Sequence, residues 1–371
     1  MSVRVMFAGG GTGGHLYPGL AIARALVRQA PNVEPFFVGA LRGIERDVLP
    51  KTEFQHLLLD LHPIYRRQPW KSWRTLRGLG SAGRALAREY RAHPTATVIG
   101  TGGYASGAAL GFALVHGIPL QLQEQNSIPG ITTRFFARYA RAVYLGYPEA
   151  QSKLHPGART QLFDCGNPIE PPPSPRPARA EARASWGFPP EGGAVVLAFG
   201  GSQGARPLND AIASMLEEGL PPGVFLIWAT GKGWYDGYMK YESPNVRVRP
   251  YLAPIQGAYA AADLALTRAG ALTVAELCAW GIPSLLVPLP TAAADHQRAN
   301  ARALESAGAA VAIEQSGLSA GRLMAELSAL LFAPQTLAVM AEAAKARGRP
   351  DAAERIANWI LTIGELKSVS A

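Results

Sequence analysis

Apolar and polar positions fall into blocks along this chain. Val3-Arg4-Val5-Met6-Phe7-Ala8 is a short, mostly apolar run. The glycine-rich stretch Gly9–Gly14 follows, and then Leu20, Ala23 and Val27 recur at i, i+3 and i+7. That order predicts a buried strand, a tight loop and an amphipathic helix. Ala194–Leu216, "AVVLAFGGSQGARPLNDAIASML", repeats it. A second echo links "TGGYASGAALGFALVHGIPLQLQ" from Thr101 with "TRAGALTVAELCAWGIPSLLVP" from Thr267. Each predicts a glycine loop, a helix of small and apolar residues, and a strand after Gly-Ile-Pro (Gly117–Pro119 and Gly281–Pro283). The glycine ends the helix and the proline bars its continuation.

Between the two copies lie six prolines from Pro168 to Pro177, which predict a stiff connector. Strands alternating with helices imply parallel sheets covered on both faces. The expected fold class is therefore α/β, with two Rossmann-like, doubly wound parallel-sheet domains, roughly 1–165 and 168–345, facing each other across a cleft. Ligands of such sheets sit off the carboxyl ends of the strands, where these glycine loops fall.

The 371 residues suffice for two domains, and 48% are hydrophobic, as a core-forming chain requires. Cys165 and Cys278 make no disulfide framework, so a reducing compartment is the default. Val3–Ala8 runs straight into the glycine loop, so no signal peptide is expected. The longest stretch without charge, Ala92–Gln123, contains glycine clusters and two prolines, and reads as strand, loop, helix and strand rather than a membrane span. The net charge of +9 is uneven. Residues 1–165 hold 19 Lys and Arg against 9 Asp and Glu, whereas the remainder holds 17 against 18. The basic half calls for an anionic partner: nucleic acid, phosphate or a membrane surface.

Gly9, Gly11 and Gly14 satisfy G-x-G-x-x-G after a strand. A nicotinamide enzyme would also place an acidic residue at the end of the next strand, to hold a ribose. That strand is expected at Pro35–Val38; Gly39-Ala40-Leu41 follows and Glu45 comes late. No G-K-[ST] occurs, which excludes a P-loop. Four glycine loops, at Gly9–Gly14, Thr101–Gly107, Gly200–Gly204 and Ala269–Ala271, offer backbone N–H groups at helix N-termini and let an anion approach closely.

With "GGGTGGHLYPGLAIA", "TGGYASG", "EQNSIPGITTRFFA", "GNP", "GGSQGARPLN", "RAGALTVAEL" and "HQRANA" in that order over residues 9–301, the chain resembles the MurG family of bacterial glycosyltransferases. The resemblance implies a GT-B fold, with the sugar nucleotide mostly on the C-terminal domain. It also implies a last helix near Asp351–Ile363, within about 346–371, that packs back on the first domain. The implied reaction is an inverting transfer of GlcNAc from UDP-GlcNAc to the C4 hydroxyl of MurNAc in undecaprenyl-diphosphate-MurNAc-pentapeptide (lipid I). The product would be lipid II for peptidoglycan, which serves cell-wall biogenesis, cell shape and cell division. The competing readings are another GT-B UDP-sugar enzyme, such as an epimerase, a nicotinamide enzyme, or a basic adaptor without activity. An adaptor leaves the charge-balanced, loop-rich second half unexplained.

The resemblance assigns Glu276 to the ribose hydroxyls and Ser202, with Gly201 and Gly204, to the diphosphate. Ala271, Leu272, Thr273, Val274 and Ala275 would line the donor. The Ile255 backbone would read uracil, Gln297 and Asn300 the sugar hydroxyls, and Asn126 the N-acetyl group. Thr12, Gly13, Gly14 and His15 would lie beside acceptor and diphosphate. An imidazole with a pKa of about 6.5 suits a general base near neutral pH. His15 could also be a structural histidine, or a diphosphate contact without proton transfer. Glu276, Ser202, Ile255 and the amides have ordinary readings too, as helix-end, cap, core and loop residues. The family's usual Arg after G-N-P is Glu170 here. Either that contact is absent or Arg176 or Arg179 reaches in. No Asp-x-Asp and no His/Cys cluster occurs, in keeping with transfer that uses no metal and no cofactor.

At 100° per residue, Arg74, Arg77, Arg84, Arg88 and Arg91 share one helical stripe. Tyr65, Arg66, Arg67, Trp70 and Trp73 precede or open it, and Phe135 and Phe136 sit between Arg134 and Arg138. Indoles beside cations suit a lipid headgroup zone. The expectation is peripheral contact with an anionic membrane, on the cytoplasmic face of the inner membrane, where a lipid-linked acceptor lies. Nucleic acid is the rival anion, but no nucleic-acid motif accompanies the charge, so it is not expected as a partner. Cell-wall synthesis proteins are the partners the family would bring.

Overall fold

The structure is a computed structural model that describes residues 2–61 and 72–364. The chain divides into two compact units, one of residues 1–170 and 351–371 and one of residues 171–350.

The first unit runs β1 (Val3–Gly9), α1 (Gly13–Gln29), β2 (Val33–Ala40), α2 (Glu45–Val48), β3 (Gln55–Leu59), α3 (Ser72–Ala92), β4 (Thr95–Gly102), α4 (Tyr104–Val115), β5 (Leu120–Glu124), α5 (Ile131–Phe136), β6 (Ala142–Leu145) and β7 (Gln161–Asp164). Its strands form one seven-stranded sheet in the order β3-β2-β1-β4-β5-β6-β7. The described pairings are parallel, for example Val5 with Pro35 and Met6 with Val98. β1 lies inside the sheet between β2 and β4 and is buried on both faces, which is why it reads as a mostly apolar run. Met6 and Ala8 face the core that holds Leu86, Ala105 and Leu110. Val5 and Phe7 face the opposite core, with Leu16, Leu20 and Ala23 of α1.

The second unit runs α6 (Arg179–Ser185), β8 (Ala194–Phe199), α7 (Arg206–Glu218), β9 (Val224–Ala229), α8 (Tyr235–Tyr238), β10 (Val246–Arg249), α9 (Gln256–Ala261), β11 (Leu264–Thr267), α10 (Ala271–Trp280), β12 (Ser284–Leu286), α11 (His296–Ser306), β13 (Ala310–Ala312), α12 (Ala320–Leu331) and α13 (Pro334–Arg347). The order β10-β9-β8-β11-β12-β13 matches that of the first unit strand for strand, up to its seventh. The repeat read from the sequence is thus a repeat of topology. In both sheets the order reverses beside the first strand, between β1 and β4 and between β8 and β11. A doubly wound sheet leaves its ligand crevice at that switch point.

The last helix, α14 (Ala352–Ile363), belongs to the first unit. Its stripe Ala353, Ile356, Ala357, Ile360 and Leu361 joins the α1 core. Trp359 stacks on Phe163 at 4.4 Å. Arg28 pairs with Glu354 at 2.7 Å, and Arg141 donates to the Ile363 carbonyl at 3.3 Å, near the helix C-terminus. No single helix among the described residues is long and apolar enough to cross a membrane.

Candidate active site

In the first unit three strand ends converge: β1 at Gly9, β4 at Gly102 and β5 at Glu124. Thr12 has extended backbone and opens α1 without a side-chain cap, and the first turn carries no acidic residue. The N–H groups of His15 and Leu16 turn back to the Thr12 carbonyl, at 3.1 and 3.3 Å. The half-buried His15 is held from two sides. Its Nδ1 lies 3.0 Å from Thr12 Oγ1, and its carbonyl accepts the Thr101 hydroxyl at 2.7 Å. The ring packs on the end of β4, since a Cβ on Gly102 would sit 2.8 Å from His15 Cδ2. The histidine flagged by its place after the glycines therefore stands at the switch point, with Thr12, Gly13 and Gly14 beside it.

Asn126 follows β5. Its backbone N–H and side-chain amide both donate to Glu124 Oε1, at 3.1 and 3.3 Å, and the Gly130 N–H donates to Oε2 at 3.0 Å. Glu124 is 3% exposed. Burial holds its carboxyl above the usual carboxylate range, against the pull of bonds from Thr133, Asn126 and Gly130. Asn167 of the "GNP" stretch is buried and donates to the Gln125 carbonyl at 2.9 Å, so it locks two loops together.

In the second unit, Gly200–Ala205 follows β8 and Arg268–Gly270 follows β11. These loops flank the second switch point. A turn from the Gly204 N–H to the Gly201 carbonyl, 3.0 Å, leaves Ser202 exposed at its tip. Ala271, Leu272 and Thr273 form the open first turn of α10, with no side-chain cap and no acidic residue. That is an anion-accepting end. Val274 points into the core, which leaves only its backbone for a ligand. Ala275 and Glu276 follow in the second turn. Glu276 Oε2 accepts the Tyr259 hydroxyl at 2.7 Å. Tyr259 is 3% exposed, and burial, then the Glu276 charge, holds its hydroxyl well above the usual tyrosine range, so it remains a donor. Gln297 Oε1 accepts the Leu289 N–H at 3.0 Å, which fixes that amide's orientation.

Several expectations need correction. Asn300 does not join Gln297 on an open face: it is fully buried, and its amide donates to the Ala269 carbonyl at 3.3 Å, bracing the loop ahead of α10. No correction falls on Ile255, the N-cap residue of α9, whose carbonyl accepts the N–H groups of Ala258 and Tyr259. Arg176 and Arg179 do not stand in for the arginine missing at Glu170. Arg176 donates to the Ala279 and Trp280 carbonyls, at 2.8 and 3.2 Å, closing the C-terminus of α10. Arg179 pairs with Asp263. Phe136 is 7% exposed and belongs to the first unit's core, so it is not a membrane contact. Phe135 is 52% exposed, with Ile131 and Tyr139 also exposed and the Arg138 guanidinium 6.0 Å from its ring centroid. Tyr65, Arg66, Arg67 and Trp70 lie outside the described residues, as does the side chain of Trp73.

Two buried charges have roles that the sequence reading did not give them. Arg268, 7% exposed, donates to the Val287 and Pro288 carbonyls and to Gln315 Oε1, tying the β11 end to the β12 end. Glu45, 0% exposed, accepts the N–H of Gly11 at 2.9 Å and of Ala40 at 3.0 Å. It turns inward under the glycine loop and is not presented to a ribose, which removes the nicotinamide reading. Both cysteines are buried and their thiols are pushed up to about 12 by that burial, so neither is a nucleophile near neutral pH.

Residues 5–145 match the glycosyltransferase family 28 N-terminal domain, and residues 195–356 match the C-terminal domain of the same family. A UDP-N-acetylglucosamine--N-acetylmuramyl-(pentapeptide) pyrophosphoryl-undecaprenol N-acetylglucosamine transferase of Moorella thermoacetica is 40% identical, covering 97% of this chain and 98% of its own length. One of the same name from Salinibacter ruber is 39% identical, covering 97% of each chain. The crystal structure of Acinetobacter baumannii MurG superposes with a TM-score of 0.75 at 28% identity, over 97% of this chain and 99% of that one. Two parallel-sheet Rossmann-type units of this kind constitute the GT-B fold. The chain belongs to glycosyltransferase family 28, in the family of UDP-N-acetylglucosamine--N-acetylmuramyl-(pentapeptide) pyrophosphoryl-undecaprenol N-acetylglucosamine transferases.

Proposed function

We propose that this enzyme transfers GlcNAc from UDP-GlcNAc to the C4 hydroxyl of MurNAc in undecaprenyl-diphosphate-MurNAc-pentapeptide, forming lipid II. The observation that carries the reading is likeness to transferases of that name along 97% of the chain. The second unit takes the donor. The diphosphate meets the open turn of α10 and the Gly201–Gly204 loop, and Glu276 accepts hydrogen bonds from the ribose hydroxyls. The first unit takes the acceptor beside Thr12–His15. The C4 oxygen bonds to the anomeric carbon as the bond from that carbon to UDP breaks, with inversion. His15 Nε2 takes the hydroxyl proton, in the tautomer whose Nδ1–H donates to Thr12 Oγ1. UDP leaves with the negative charge stabilised by backbone dipoles. The enzyme reaches its lipid-linked acceptor by peripheral contact with an anionic membrane, through the face bearing Ile131, Phe135 and Arg138.

The test is incubation with UDP-GlcNAc and lipid I, with UDP release and lipid II mass both followed. UDP-GlcNAc binding without lipid II, or transfer to another acceptor, would move the chain to a different UDP-sugar activity. His15→Ala should lower kcat by about 10²–10⁴-fold with UDP affinity nearly intact. A fall of only a few-fold would make His15 a contact residue.

A further inference from the structure

Glu45, a buried side chain of the first unit, holds the glycine loop directly. It lies at the start of the four-residue α2, outside the loop in sequence, yet one carboxylate oxygen takes the Gly11 N–H and the other the Ala40 N–H at the end of β2. The surroundings are shaped to this carboxylate. A Cβ on Gly10 would meet Glu45 Oε1 at 1.8 Å, and one on Gly43 would meet Oε2 at 2.0 Å. Gly10 has φ +153° and Gly11 φ +86°, backbone that glycine adopts readily. The glycines at 10 and 43 thus do more than permit a turn: they make room for an internal anion.

The consequence is a division of the loop's donors. Gly10 N–H turns to the Gly102 carbonyl and Gly11 N–H to Glu45, both inward. The first turn of α1 begins two residues later, with exposed Thr12 and Gly14 and the Thr12–His15 pair on its outer side. A charge-assisted bond to a backbone N–H is roughly twice as strong as a neutral one, and here water is excluded from it.

We propose that Glu45 is a positioning residue for the transfer reaction, an internal anion that pins Gly11 and thereby fixes the orientation of Thr12, Gly13, Gly14 and His15. This rests on the reading that the Thr12–His15 loop serves glycosyl transfer. Glu45 touches no substrate and acts through the loop alone. Glu45→Gln keeps the shape but presents an NH2 group to one of two N–H donors, so one bond becomes a repulsion.

The variant should show kcat about 10- to 100-fold lower, measured well below its thermal midpoint, because misplacing a catalytic group by about 1 Å costs that much. UDP affinity by calorimetry should stay within about twofold, since the donor is held by the other unit. The Gly11 amide proton should move upfield as its charged acceptor is lost. A variant with wild-type kcat and only a lower thermal midpoint would make Glu45 a purely structural residue and overturn the proposal. If Glu45→Gln does not fold, Gly39→Ala displaces the same side chain, because its Cβ would lie 2.8 Å from Glu45 Cβ and Cγ. It should show the same split at a smaller, several-fold size, and unchanged kcat there would also overturn the proposal. If the wild-type enzyme forms no lipid II, the reading of the reaction has failed, and the Gly11 resonance in Glu45→Gln still decides whether the carboxylate pins the loop.

Discussion

Tyr259 and Glu276 are 17 residues apart and share one hydrogen bond. A carboxylate in the second turn of a helix is free to take several rotamers, and the buried hydroxyl selects one. In the proposed donor site that bond would hold Glu276 ready for a ribose at little entropy cost when the ligand arrives. Glu276→Ala should weaken UDP by about 1.5–3 kcal/mol, the range for a hydrogen bond to a charged group, read by calorimetry. Tyr259→Phe should weaken it less, since the carboxylate remains and only its orientation is lost. Wild-type UDP affinity in Glu276→Ala would remove the ribose role. At this scale the sequence showed residue types and spacing, and its resemblance to a family marked Glu276, Ser202 and His15 as candidates. It did not show direction. Asn300 has the right type and the right spacing from Gln297 and points into the protein.

At the scale of elements, the helix ends frame the proposed site and the helix faces carry the stability. The N-terminus of α10 is left open, whereas its C-terminus is closed by Gly281 in the left-handed conformation and by Arg176 on the last carbonyls. The open end is the one beside the switch point. In α14 the apolar stripe is the working part. Ile356 is 0% exposed within the core that includes Leu16, Leu20 and Leu26 of α1. Ile356→Ala should destabilise the first unit by about 2–5 kcal/mol through lost burial and a residual cavity. Calorimetry resolving the two units would show that unit's transition falling while the other stays in place. A loss below about 1 kcal/mol would mean that the site collapses around the smaller side chain. The 3.6-residue period made α14 legible as an amphipathic helix, but no local pattern says which sheet its stripe will cover.

For the whole molecule, charge is distributed by unit. The first holds 21 Lys and Arg against 13 Asp and Glu, and the second 15 against 14. A long-range field of that kind favours an anionic surface, and the proposed membrane contact would add apolar side chains to hold one unit there. Ile131, Phe135 and Tyr139 are about half exposed, at 51%, 52% and 45%, with Arg138 among them. Replacing Ile131 and Phe135 together by Ser should reduce sedimentation with vesicles rich in phosphatidylglycerol, and the residual binding should be more salt-sensitive, since mainly the electrostatic part survives. Undiminished sedimentation would place the membrane contact elsewhere on the chain.

The sequence by itself determined the repeated strand–loop–helix plan, the all-parallel sheets and the glycine loops at the strand ends. These follow from local rules: apolar runs for strands buried on both faces, a 3.6-residue period for helices, and glycine where backbone must approach backbone. Only the tertiary structure decided which polar side chains face the site and which support it. Phe135 and Phe136 are neighbours with similar chemistry, and one is half exposed while the other lies in the core. Glu45 looked like a misplaced ribose ligand and proved to be an anchor under the glycine loop. Such assignments depend on contacts between residues far apart in the chain. Glu45 and Gly11 are 34 positions apart, and no periodicity or propensity within either segment encodes the bond between them.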